Sequence, residues 1–233
     1  MNKAKLISFF ISFAIAATVL YKYVYAPNPE LFSFDIEWPS FDFGKEEAGS
    51  KKKKKSSSKS KVKSNVKSNS NVGKVVDNFN GVNIYYNGRV KNVQGRNVTS
   101  DGYNLGLKYQ CVEFVKRYYY EYYNHKMPDS YGHAKDFFEH NLSDGGYSKK
   151  RDLYQYRNGS EIKPRVGDIL IFGAASFNKY GHVAIISKVT SNSVTIAQQN
   201  PGIGNKSRQA FALDHSNGGW WIRYSHIVGW LHK

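Results

Sequence analysis

The chain of 233 residues has a single thiol, Cys111. It stands in the stretch Leu107-Lys108-Tyr109-Gln110-Cys111-Val112-Glu113-Phe114-Val115-Lys116-Arg117. Cys111, Phe114, Val115, Tyr118, Tyr119 and Tyr122 recur at helical spacing, so they share one face of an amphipathic helix. Gly102 and Gly106 read as a loop running into that helix, which puts Cys111 in its first turn. There the positive end of the helix dipole and unpaired backbone N–H groups favour thiolate over thiol. A lone cysteine is more often a small buried hydrophobe, so the nucleophile reading requires a base nearby. Of the seven histidines, His182 fits best, because it follows Gly181 and opens an apolar strand where a side chain can face a cleft. A third group has to orient the imidazole. Gln198 and Asn200, two apart on the next expected strand, share a face, and either amide oxygen can accept the imidazole N–H. Such a set attacks a carbonyl carbon. The oxyanion would be held by the Cys111 backbone N–H and one more donor, Gln110 or an N–H of the preceding loop. His182 would then protonate the leaving amine. Metal chemistry is poorly served, with one cysteine and no paired His-carboxylate spacing, and no glycine-rich phosphate loop occurs. No metal and no cofactor is expected.

These residues need elements to position them. Gly81-Val82-Asn83-Ile84-Tyr85-Tyr86 reads as a strand before the turn dipeptide Asn87-Gly88. A polar loop follows over 87–106, then the Cys111 helix to about Asn124. A second short helix is expected from about Gly132 to Leu142, on the spacing of Ala134, Phe137, Phe138 and Leu142. Four strands follow, at Ile169–Phe172, Val183–Ile186, Val194–Asn200 and Ile227–Leu231. Their short connections favour antiparallel pairing. The expected fold is therefore α+β, with N-terminal helices packed on a small antiparallel sheet.

Before residue 75 the composition changes. An apolar run from Leu6 to Tyr21, preceded by Lys3 and Lys5, marks 1–26 as a transmembrane anchor or signal segment. Residues 27–74 read as a disordered Lys/Ser-rich linker, with ten lysines and no acid in 51–74. That run supplies most of the formal net charge of +16. It offers a contact to an anionic membrane or wall surface. A lysine tract without interleaved aromatics does not point to nucleic acid. The expected location is a single-pass membrane protein with the catalytic domain exported.

Taken together, Gln110-Cys111-Val112-Glu113-Phe114, the Gly167-Asp168 strand, Gly181-His182-Val183-Ala184-Ile185-Ile186, Ile196-Ala197-Gln198-Gln199-Asn200 and the terminal Ile227-Val228-Gly229-Trp230-Leu231 resemble the CHAP domain. That family is the cysteine, histidine-dependent amidohydrolases/peptidases. The wording is similar to the amidase domain of glutathionylspermidine synthetase/amidase and its trypanothione relatives. The resemblance covers 75–233 and implies a papain-like fold and amide hydrolysis through a thioester. It implies Cys111 as nucleophile and His182 as base, with Asn200 matching the family's asparagine. Gln198 falls where the family commonly has a glutamate, and a neutral glutamine cannot stabilise imidazolium by charge. Lys116 falls where the amidase motif has an arginine, a candidate for binding an acidic substrate group. The expected substrate is a small peptide–polyamine conjugate of the glutathionylspermidine type. The alternatives are a peptidoglycan peptide cut by an amidase or endopeptidase, and a catalytically inactive CHAP module that only binds.

Overall fold

A computed structural model describes residues 71–233. Two hairpins lead in. The first joins β1 (Val75–Phe79) to β2 (Val82–Tyr85) through Asn80 and Gly81, both at positive φ. Asn-Gly suits this two-residue turn because both positions need left-handed backbone. The second joins β3 (Arg96–Val98) to β4 (Asn104–Leu107). Helix α1 (Cys111–Tyr123) follows and ends at Asn124, which takes the left-handed C-cap.

The rest is sheet. A 3-10 turn, Ala134–Phe137, precedes β5 (Gly146–Ser148), β6 (Leu153–Arg157), β7 (Ile169–Phe172) and β8 (His182–Val189). Then come β9 (Ser193–Ala197), β10 (Arg208–Ser216), β11 (Gly219–Ile222) and β12 (Ile227–His232). They form one eight-stranded sheet in the order β11-β10-β9-β8-β7-β12-β6-β5, antiparallel throughout. Phe114, Val115, Tyr118 and Tyr119 of α1 are fully buried and form one core with Ile169, Ile171, Val183, Ile185 and Leu231 of the sheet. Tyr122, expected on the same face, is 49 % exposed.

The α+β expectation is corrected. The described chain is mostly sheet, with one α-helix and a large rather than small antiparallel sheet. The second expected helix, Gly132 to Leu142, shrinks to four residues of 3-10 turn. Just past it Gln155 on β6 engages the backbone, its Oε1 accepting from the Glu139 N–H at 2.7 Å and its Nε2 donating to the Glu139 carbonyl at 2.9 Å. The Glu139 N–H is thereby diverted from an intrahelical bond to a buried side chain.

The expected membrane localisation is corrected too. Among the described residues no helix is long and apolar enough to cross a membrane. The expected anchor over 1–26 lies outside the described residues, as does the expected linker over 27–74 apart from its last four positions.

Candidate active site

Cys111 is the first residue of α1, with Gln110 at the N-cap in extended conformation and no side chain capping the helix end. The thiol is partly buried. The backbone N–H groups of Val183, Val112 and Cys111 itself lie near the sulfur and favour its thiolate. Val183 is the residue after His182. Helix start and strand start therefore meet at the sulfur. These donors favour thiolate, but burial acts more strongly, so the net effect is to push the Cys111 thiol up. The lowered thiol pKa expected from the helix dipole alone does not result.

His182 opens β8 directly after Gly181, which sits at φ +70°. A Cβ at position 181 would lie 2.5 Å from the Phe172 carbonyl oxygen and 3.1 Å from the Lys135 N, so only glycine lets the chain turn in here. The imidazole is buried, 5.6 Å from the Phe172 ring. Its Nε2 is 2.9 Å from Gln198 Oε1. The orientation of Gln198 is fixed from behind, where its Nε2 donates to the Lys206 carbonyl at 3.0 Å and to Gln209 Oε1 at 3.4 Å. With the amide oxygen turned to the ring, His182 must donate from Nε2, which leaves Nδ1 with its lone pair. Burial lowers the imidazole pKa to about 4, and the Gln198 bond offsets this only in part. The resting pair is thus neutral thiol and neutral imidazole.

Asn200 does not join Gln198 on the imidazole. Strand β9 ends at Ala197, and Asn200 turns to φ +59°, so the period-two alternation has lapsed. Its Nδ2 donates to the Val90 carbonyl at 3.0 Å and to Gln110 Oε1 at 2.7 Å. Gln110 in turn donates through Nε2 to the carbonyls of Val90, at 3.0 Å, and Asn92, at 2.8 Å. With both amide hydrogens so used, the Gln110 side chain braces the 90–92 loop rather than reaching for an oxyanion. The Cys111 backbone N–H lies at the helix start beside the sulfur.

Lys116 is not at the site. It is 1 % exposed, donates to the carbonyls of Asn104 and Ser130, and lies 4.7 Å from the centre of the Tyr103 ring. Burial lowers its pKa to about 8. Helical phase carries it inward, so the expected substrate contact is corrected to a structural one.

Sequence reasoning passed over the residues that tie helix to sheet. Gln199 donates to Glu113 Oε2 at 2.7 Å and to the Gln110 carbonyl at 3.0 Å, while its Oε1 accepts from the Tyr85 N–H at 2.9 Å. Glu113 Oε1 accepts from Arg117 Nε and from Asn97 Nδ2, each at 2.7 Å. Glu113 and Arg117 are spaced i, i+4, the one signal in the sequence that pairs them. Nothing local to Gln199 marks it, because its partners lie 86 and more positions away along the chain.

The CHAP domain model matches residues 99–200, the stretch from β4's approach through Asn200. Trypanothione synthetase of Crithidia fasciculata is 31 % identical over 132 residues, 55 % of this chain and 20 % of that protein. The bifunctional glutathionylspermidine synthetase/amidase of Escherichia coli (strain K12) is 36 % identical over 107 residues, 45 % of this chain and 17 % of its own length. Endolysin PlyTW of Staphylococcus phage Twort is 30 % identical over 96 residues, 40 % of this chain and 19 % of that protein. The matches thus span about a fifth of the length of these relatives. The matched residues include Cys111, His182 and Gln198, and the stretch 99–200 carries the CHAP domain.

Proposed function

We propose that this chain is a cysteine-dependent amide hydrolase. The observation that carries the reading is the meeting of two element starts, with the Cys111 thiol near the Val183 N–H and the adjacent His182 held through Nε2 by Gln198. The CHAP domain and the amidase and endolysin relatives support amide-bond hydrolysis.

In the proposed reaction the substrate carbonyl carbon sits over Cys111. Nδ1 of His182 takes the thiol proton as the sulfur forms its bond to that carbon. The carbonyl π pair moves onto oxygen, which the N–H groups at the start of α1 stabilise. When the oxyanion collapses, the C–N bond breaks and its electron pair leaves with nitrogen, which takes the proton from Nδ1. The amine departs and a thioester remains on Cys111. Water then adds to the thioester with His182 again as base, and the acid and free thiol are released. Gln198 acts as a positioning residue for the imidazole. Asn200 positions Gln110, and through it the loop beside the helix start.

For the substrate we favour an amide of the glutathionylspermidine type, in keeping with the names of the synthetase/amidase relatives. A peptidoglycan peptide is the second reading, favoured by the likeness to an endolysin. Incubating the full chain and its Cys111→Ala variant with glutathionylspermidine and with peptidoglycan fragments, and following new amines by mass spectrometry, separates the two. Cys111-dependent release of spermidine is the expected result. Release from wall peptides alone moves the substrate to the second reading. Release from neither by a folded chain refutes both substrates and leaves the inactive binding module.

A further inference from the structure

Strand β8 carries one backbone donor that the sheet leaves unused. Along an antiparallel strand, successive N–H groups turn to opposite neighbours. The Ile186 N–H donates to the Asp168 carbonyl at 2.8 Å, on the β7 side. By that alternation Ala184 and His182 also turn to β7, opposite Leu170 and Phe172. Val183 and Ile185 turn the other way, to β9. Ile185 meets Ala197 there. The same register would set Val183 against Gln199, but β9 ends at Ala197. The Gln199 side chain goes to Glu113 and the Gln110 carbonyl instead, and Asn200 turns to φ +59°. No carbonyl or side-chain oxygen among the described residues accepts from the Val183 N–H, although Val183 is fully buried. A buried N–H without a partner is rare and costly, so this one calls for an acceptor that arrives later.

The Cys111 sulfur is that acceptor. It lies near the Val183 N–H, and Cys111 packs against the core to which Val183 belongs. A neutral thiol accepts hydrogen bonds weakly. A thiolate accepts them strongly, because hydrogen bonds to a charged partner are about twice as strong as neutral ones. When Nδ1 of His182 takes the thiol proton, the S–H electron pair stays on sulfur and the Val183 N–H gains its partner. Burial opposes this step, since it holds the thiol and the imidazole neutral. A donor that engages only after the proton has moved favours the charged side of the step. His182 and Val183 are consecutive, so β8 delivers base and donor together. We infer that the Val183 backbone N–H is a catalytic donor, kept free by the early end of β9 for the negative charge that forms on the Cys111 sulfur. The inference rests on Cys111 being the nucleophile.

The test reads the sulfur rather than turnover, so its failure and the failure of the hydrolase reading are distinct. In the full chain, valine 183 is replaced by α-hydroxyisovaleric acid, which turns the amide into an ester and removes the N–H while keeping the side chain. Alkylation of Cys111 by iodoacetamide at pH 7 is expected to fall about tenfold, the effect of one lost hydrogen bond to a charged group. The same exchange at Ile185 removes a ladder donor and is expected to leave the alkylation rate unchanged. An unchanged rate in the Val183 ester overturns the inference, and so does an equal fall in both esters. A second measurement needs no ester. In nitrogen-15-labelled wild type the Val183 amide proton is expected to move downfield as Cys111 titrates, and to stay in place over the same pH range in Cys111→Ala. A Val183 signal indifferent to that titration overturns the inference even if the ester variant does not fold. Absence of amine release with these results intact counts against the hydrolase reading alone.

Discussion

At the residue scale the chemistry turns on a neutral pair. Burial raises the Cys111 thiol and lowers His182 to about 4, so each resists the charge that the other would need. The thiolate is then a minor species near neutrality, and alkylation of Cys111 by iodoacetamide is expected to rise about tenfold per pH unit between pH 6 and 8. A plateau from pH 5 upward would indicate a preformed ion pair instead. Gln198→Glu places a carboxylate against the imidazole, which favours imidazolium and hence thiolate. Alkylation at pH 6 is expected to increase at least about tenfold, corresponding to one unit of pKa. The gain is opposed by the Lys206 carbonyl, which loses its donor. An unchanged rate at pH 6 would show that residue 198 does not set the charge of the imidazole. The same burial shapes stability. His182 has a folded pKa of about 4 against an ordinary value of 6.5, so over that interval the unfolded chain binds a proton that the folded chain does not. Stability is therefore lost as pH falls from 6.5 to 4, by about 3 kcal/mol from this residue. Urea unfolding of wild type and His182→Gln should show that part of the acid loss only in wild type. Equal losses in both would contradict the assignment.

At the element scale the site depends on where α1 and β8 begin. Gly181 carries the chain into β8 at positive φ, directly under the Phe172 carbonyl. Gly181→Ala is expected to cost about 1–3 kcal/mol, from backbone strain and the close approach, and to displace His182 enough to lower kcat. A variant with wild-type stability and rate would show that the turn does not hold the imidazole. Much at this scale was legible in the sequence. The helical spacing from Cys111 identified α1 almost to its ends, and the apolar runs marked β7, β8, β9 and β12. The legible parts are those with a local cause. Two of the strands that were missed, β6 and β3, lack an apolar signal. Gln155 is fully buried inside β6, and Arg96–Val98 has no buried residue to signal a strand. The division of labour between Gln198 and Asn200 was equally hidden, because it depends on β9 ending at Ala197, and that end is set by long-range partners such as Val90 and Gln110.

At the scale of the whole molecule, one α-helix among the described residues packs on an eight-stranded antiparallel sheet, and a buried polar network ties the helix to neighbouring strands. Glu113 and Arg117 of α1, Asn97 of β3 and Gln199 after β9 share that network, with the Tyr85 N–H of β2 closing it. Breaking one partner of a buried pair leaves the other charge uncompensated, so the network fixes the helix start relative to β2, β3 and the segment after β9 more than it adds net stability. Charge is divided along the chain. Residues 75–233 carry 20 basic and 12 acidic residues, while the ten lysines of 51–74 face no acid. The chemistry of the site converges on one sulfur. The most direct measurement is therefore the rate of amine release from the cleaved amide, for wild type and for Cys111→Ala in the full chain. A fall of at least about a thousandfold is expected, the usual consequence of removing a nucleophile that acts as a unit with its base. A variant that retains activity within tenfold of wild type would contradict catalysis by Cys111.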